Sequence, residues 1–273
     1  YKWVTLLFSS YFFYLNIEPI FGILTAFVTV STYFFTIRID SVSDDDTKKK
    51  YMYINIAVIL LPLFFFKYFS SINNFVFNLL ELNNLRWVLP EISFLLPVGI
   101  SFYTFMAIGY TIDVYNEEIH AEKNFGIVAL FISFFPLILS GPIERAQNMI
   151  PQFKSKIILN SSNFSIGLKL MLWGYFMKLV VADRLAIYID AVYSSLTLHN
   201  GDTLILASLL YPIQVYADLG GYSLIAIGVS KILGLNVIPN FNRPFFSTSM
   251  AEFWRRWHMS VSYTHLTLPT MFE

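Results

Sequence analysis

Gln214, Asp218 and Tyr222 stand four residues apart inside a long apolar run, so a helix there carries an amide, a carboxylate and a phenol on one face, with Gly221 beside them. A carboxylate at mid-membrane costs roughly 2.5–3.5 kcal/mol on insertion scales, so it must be paired or line a wet cavity. Two readings stand together: a functional polar site, and an interhelical hydrogen bond allowed by close approach at Gly220 and Gly221. Farther on, Asn242-Arg243-Pro244 and Phe253-Trp254-Arg255-Arg256-Trp257-His258 bring guanidiniums, indoles and an imidazole close together. A histidine can act as general base near neutral pH, but a lone one is more often a structural hydrogen-bonder. An aromatic and basic cluster beside a membrane segment is more often an interfacial anchor. Pro244 biases Arg243 away from helical angles, which predicts a turn there. Met250–Ser260 reads as a short helix on which Trp254, Arg255 and His258 share a face.

Other chemistry has little support. Cysteine is absent, which removes disulfides, thiolate metal sites and an acyl-cysteine intermediate. His120, His199 and His265 are far apart and form no His-Glu-x-x-His pattern, so no metal site is expected. Gly-rich phosphate loops and Gly-x-Ser-x-Gly elbows are missing. Eighteen basic and 18 acidic side chains cancel, and nothing points to nucleic acid.

The elements that must position these groups are membrane helices. Hydrophobic residues make up 56% of the 273 and charged residues 13%, about half the charged share of an ordinary soluble domain. Apolar windows fall at Trp3–Leu15, Pro19–Ile37, Tyr51–Phe69, Ile92–Ile112, Phe125–Ile143, Phe164–Ala182 and Thr203–Leu235. A span needs about 20 such residues, so the expected fold is all-α and polytopic, with about six to eight membrane segments plus interfacial helices. Arg38–Lys50 reads as a loop whose Arg38, Lys48, Lys49 and Lys50 place it on the cytoplasmic side. Ile72–Leu89 reads as a helix lying in the headgroup region. Lys169 and Lys178 are expected to extend to the interfaces. Thr203–Leu235 is either one tilted helix or two segments broken at the glycines. No repeat period is visible and the two halves look unalike, which disfavours an inverted-repeat transporter. The first residue is Tyr1 rather than Met, and no signal-peptide pattern precedes the first span, so the chain is expected to begin inside a longer protein.

Three ordered blocks, Tyr216-Ala217-Asp218-Leu219-Gly220-Gly221-Tyr222-Ser223, Asn240-Phe241-Asn242-Arg243-Pro244 and Phe253-Trp254-Arg255-Arg256-Trp257-His258-Met259-Ser260, resemble the signature of the membrane-bound O-acyltransferase family. Upstream, the run from Pro97 to Phe105, Asp113-Val114-Tyr115, Phe134-Phe135-Pro136 with Gly141-Pro142-Ile143, and Trp173-Gly174 through Lys178 to Ala182-Asp183-Arg184 resemble it too. The resemblance covers residues 3 to 262 and is nearest to the bacterial branch that contains the alginate O-acetyltransferase membrane subunit.

The resemblance implies a curved set of membrane helices around a thinned centre, multi-pass in the bacterial inner membrane. It implies acyl transfer from a thioester, acetyl-CoA or another, to hydroxyls of an extracytoplasmic polysaccharide, with no bound cofactor. The partners it implies are the lipid bilayer, the polysaccharide and an extracytoplasmic acetyltransferase or esterase-like protein. His258 matches the first of two polar tunnel positions and is the auxiliary member of a catalytic pair. The essential histidine lies farther on and has no counterpart here. Gln214, Asp218, Tyr222, Asn242, Arg243, Trp254, Arg255, Arg256 and Trp257 are tunnel candidates. Residues 1–262 then form a partial membrane domain truncated at both ends. Residues 263–273 depart from the pattern and are expected to be non-native, and the chain by itself is expected to be inactive because the second histidine region is missing. The competing class is a transporter or channel, motivated by Gln214 and Asp218; a third is a purely structural membrane subunit.

Overall fold

The computed structural model describes residues 2–82, 97, 99–138, 141–156 and 160–259; the tail expected to be non-native lies outside them. Among the described residues every regular element is helical, and the chain divides into two compact units, Tyr1–Ile138 with Arg145–Ile150, and Leu139–Glu144 with Pro151–Glu273.

The first unit contains α1 (Lys2–Ile17), α2 (Pro19–Ser41), α3 (Asp45–Leu82), α4 (Ile100–Tyr115), α5 (Phe125–Ser133) and α6 (Phe135–Ile138). Pro19 opens α2 in its first turn, where a backbone N–H has no partner within the helix. Thr25, Thr29, Thr32 and Thr36 line its buried face, and each hydroxyl donates to the carbonyl four residues earlier at 2.7–2.8 Å, so no donor is stranded in the apolar interior. Arg38–Lys50 is a loop only at Val42–Asp44. Asp44 caps α3 by accepting from Thr47 N at 3.0 Å, and Asp45 and Asp46 favour its positive end, so the lysines already belong to the helix. The helix then runs unbroken past Phe69 to Leu82; the interfacial helix expected from Ile72 is its continuation, and its end from Asn83 lies outside the described residues.

Within the window Ile92–Ile112, helix α4 begins at Ile100, and residues 92–96 and 98 lie outside the described residues. Gly99 precedes it at φ 76°, where a Cβ would stand 2.3 Å from Ile138 Cγ2, so only glycine fits. Phe125–Ile143 is not one crossing helix: Phe134 is extended between α5 and α6, and Pro136 sits in the first turn of α6, where its missing N–H costs nothing.

The second unit holds the end of α7 (Ala146–Lys154) from Pro151, α8 (Ser161–Tyr175), a π-helical segment (Phe176–Ala182), α9 (Asp183–Ser194), α10 (Gly201–Ile232) and α11 (Met250–Arg256). Asn160 caps α8 by accepting from Ser162 N. Helix α10 is one unbroken 32-residue helix rather than two halves. Its glycines are contact points. A Cβ on Gly221 would lie 2.9 Å from Gly174 O, and one on Gly228 would lie 2.7 Å from Gly167 O, so α8 and α10 run antiparallel with backbones nearly touching. Helix α10 ends on Gly234 at φ 82°, with Leu235 N donating to Ser230 O, a closure that returns the chain toward its own last turn.

Four stretches, Pro19–Ser41, Asp45–Phe69, Ser161–Ser194 and Gly201–Ile232, are long and apolar enough to cross a membrane. They expose large apolar side chains outward, among them Ile23, Phe34, Leu172, Leu179, Ile205 and Leu209, as a lipid-facing surface does.

Candidate functional site

Helix α10 positions two sites. Residues 216 and 218 are two apart, about 200° around a helix of 3.6 residues per turn, so their side chains leave on opposite sides.

On one side lies Asp218. Lys178 Nζ is 2.6 Å from Asp218 Oδ1 and 2.7 Å from Asp183 Oδ1, and it stands 5.0 Å from the Tyr222 ring centroid. The ammonium thus does not extend along the helix to the interface as expected; two carboxylates and an aromatic face hold it. The cause is the π segment. There Asp183 N donates to Lys178 O, five residues back, and this widened turn brings side chains at that spacing into line. Gly221 completes the seat, since a Cβ there would meet Lys178 N at 3.1 Å and Lys178 Cβ at 3.2 Å. Gln214 is half-buried one turn before Asp218.

On the other side Tyr216 is the hub of an aromatic cluster. Its ring centroid lies 5.5 Å from Phe241, 5.3 Å from Phe245 and 6.0 Å from Trp257, with the two phenylalanines edge-on; Trp257 in turn stacks on Phe253 at 5.5 Å. The backbone brings these rings together. Asn242 N donates to Arg256 O at 2.9 Å, and Met259 N donates to Asn240 O at 2.8 Å. Upstream, Gln152 holds Asn236 by both its backbone N and O, and Glu144 accepts from Ile238 N.

Those bonds correct the expected helix over Met250–Ser260. Helix α11 stops at Arg256, Trp257 is extended, and His258 is left-handed at φ 46°, so Trp254, Arg255 and His258 share no helical face. His258 instead packs its ring on Phe241, centroids 5.7 Å apart. Its Nδ1 is buried with no hydrogen-bond partner among the described residues. Burial disfavours the imidazolium, which holds the pKa below the ordinary 6.5 and keeps the ring in its basic form at neutral pH. Arg243, at the expected turn, is also left-handed, at φ 46°. Such backbone in non-glycine residues costs on the order of 1–3 kcal/mol and clusters at functional sites.

The remaining candidates separate by engagement. Arg256 Nη2 pairs with Glu252 Oε1 at 2.6 Å and its Nη1 donates to Phe246 O, so it braces α11. Glu252 also accepts from Thr248 N and Oγ1, while the N-cap Ser249 Oγ accepts from Glu252 N, so the start of α11 is tied down from both directions. Asn242, Arg243 and Arg255 are exposed, and Trp254 is 58% exposed. The sequence did not single out Lys178, Tyr216, Phe241 or Phe245 as site residues. For Lys178 the only available signal was the family-like run through Asp183, because a spacing of five puts two residues on different faces of an ordinary α-helix.

A helical membrane protein in which one 32-residue span carries an ionic site on one side and an imidazole-bearing aromatic site on the other belongs among integral membrane enzymes and carriers. The sequence comparison assigns the family: this chain is a member of the membrane-bound O-acyltransferase (MBOAT) family, whose model matches residues 122–263. It is 35% identical over 267 residues to the probable alginate O-acetylase AlgI of Pseudomonas aeruginosa, a match that covers 96% of this chain and 50% of the relative. It is 30% identical over 262 residues to the peptidoglycan O-acetyltransferase of Helicobacter pylori, covering 85% of this chain and 48% of the relative. To the teichoic acid D-alanyltransferase of Streptococcus thermophilus it is 31% identical over 174 residues, covering 61% of this chain and 41% of the relative. The chain thus spans about half the length of the curated relatives it matches.

Proposed function

We propose that this chain is the part of a bacterial inner-membrane O-acyltransferase that carries the auxiliary imidazole, His258, and that the whole protein moves an acyl group from a thioester to hydroxyls of an extracytoplasmic polysaccharide. The named relatives act on different polymers, alginate, peptidoglycan and teichoic acid, and what their names share is acyl transfer to a surface polymer. In this reaction the hydroxyl oxygen bonds to the thioester carbonyl carbon, the carbon–sulfur bond breaks, and the hydroxyl proton passes through an imidazole to the departing sulfur. General-base help of this kind contributes roughly 10²–10⁴ in rate, and positioning supplies the rest. Acetyl-CoA is the proposed donor, and an extracytoplasmic acetyltransferase or esterase-like protein the proposed partner.

The single observation that carries the reading is the His258 ring, seated on Phe241 with a buried Nδ1 that makes no bond among the described residues, in a chain of this family. The ion-paired Asp218 in a membrane span keeps one alternative in view, a transporter or channel. One comparison separates the two. Membranes containing the native gene product at full length are given acetyl-CoA labelled in the acetyl group, and both alkali-labile ester on surface polymer and solute uptake into vesicles are measured. The acyltransferase gives labelled ester without uptake; uptake without ester contradicts it.

A further inference from the structure

Three separate features of the second unit meet at one side chain. The first is a seven-residue π-helical segment inside a 34-residue helical run, a form that is rare and is stable only where something else stabilises it. The second is the glycine contact between α8 and α10, with Gly174 O 2.9 Å from the place a Gly221 Cβ would occupy. The third is the ion triad of Lys178 with Asp183 and Asp218. The π turn brings Asp183 to Lys178, and the glycines bring Asp218 to it. A packing contact alone needs none of this, since neutral residues of similar volume hold two membrane helices together without placing three half-buried charges in apolar helices.

Resting on the acyl-transfer reading above, we infer that Lys178 is a positioning residue for that reaction: by gripping Asp218 and Asp183 together it fixes the height of α10 against the π segment, and so the place where Tyr216 presents its aromatic cluster to His258. The path is short and made of direct contacts. Lys178 Nζ is 2.6 Å from Asp218; Tyr216 lies two residues away on the same rigid helix; its ring is 5.5 Å from Phe241, and Phe241 is 5.7 Å from the His258 ring. Lys178 is held by Asp183, Asp218 and the Tyr222 face, and Tyr216 packs against the neighbouring Met177 and Ala182, so Lys178 acts on the imidazole by placement. A misplacement of about 1 Å at a reacting group costs on the order of 10²-fold in rate, which makes a register-setting contact at this distance consequential.

Two variants of the native full-length gene product test the inference, with rates taken per folded molecule so that partial loss of fold changes the yield and not the result. Lys178→Arg keeps a cation between both carboxylates and preserves folding, but its longer, planar head changes the spacing. The triple variant Lys178→Met, Asp183→Asn, Asp218→Asn removes all three charges together, so none is left unpaired. Positioning predicts that both variants reach the membrane, that kcat for ester formation falls at least about tenfold in each, and that KM for the thioester stays within about twofold. Parent kcat in either variant shows that the triad only holds helices together, and a changed KM at unchanged kcat assigns Lys178 to donor binding; each overturns the inference. If the parent protein forms no ester at all, the functional reading fails instead, and the two failures are distinguished by that control.

Discussion

A histidine works as a base only while it is neutral, and His258 is kept neutral by burial against Phe241. The sign follows from that cause. The folded state disfavours the imidazolium, so the folded pKa lies below the unfolded value near 6.5. The basic form persists as pH falls through 6.5, and is lost, with the stability linked to it, only as pH drops through the folded pKa. In membranes of the full-length protein, the acid limb of kcat/KM for ester formation should fall below pH 6.5; a limb at or above 6.5 speaks against His258 as the group that must be neutral. The sequence showed which residue this was but not where it sat. Helical spacing put His258 beside Trp254, whereas the bonds from Asn242 and Met259 join residues 14 and 19 apart in sequence, which no local pattern reveals. Arg255 and Arg256 read alike in the sequence, and only the structure tells the exposed one from the one held by Glu252 and Phe246.

Among the elements, apolar length was enough to find the spans, and less than enough to find their joints. Asp44 as a helix cap was readable from its position before Asp45, Asp46 and Thr47, yet the run of charges read as a loop. The turn at Gly99 that opens α4 fits closely against Ile138, a tertiary contact that no local pattern reveals, and the break at Phe134 was equally hidden in an unbroken apolar run. The π segment is likewise set by what faces it. Here the glycines give a direct test. Gly221→Val forces side-chain atoms into Gly174 O and the Lys178 backbone, and overpacking of this kind costs typically 1–3 kcal/mol, so thermal unfolding in detergent should begin at a clearly lower temperature. Gly109→Ala is the control: nothing lies within 4 Å of its Cβ position, and alanine should leave α4 as stable or raise its stability by about 0.5–1 kcal/mol. Equal melting of the Gly221 variant and the parent contradicts the close backbone contact.

For the whole molecule, composition alone established a multi-pass helical membrane protein, and the ordered blocks around Asp218, Arg243 and His258 established the family before any coordinates. The expected orientation rests on Arg38 and Lys48–Lys50, and these 273 residues hold no cysteine to compete with an introduced one. A single Ser43→Cys, in the exposed turn between α2 and α3, should react with a membrane-impermeant maleimide only after the cells are opened; labelling of intact cells reverses the orientation. The central claim, that His258 belongs to the machinery of acyl transfer, is tested most directly by one pair of strains, one carrying the full-length parent and one His258→Ala, matched for the amount of protein in the membrane. The account predicts that alkali-labile acetyl ester on the surface polymer falls at least about tenfold in the variant while membrane insertion is unchanged. Equal ester in the two strains removes His258 from the mechanism and contradicts the account.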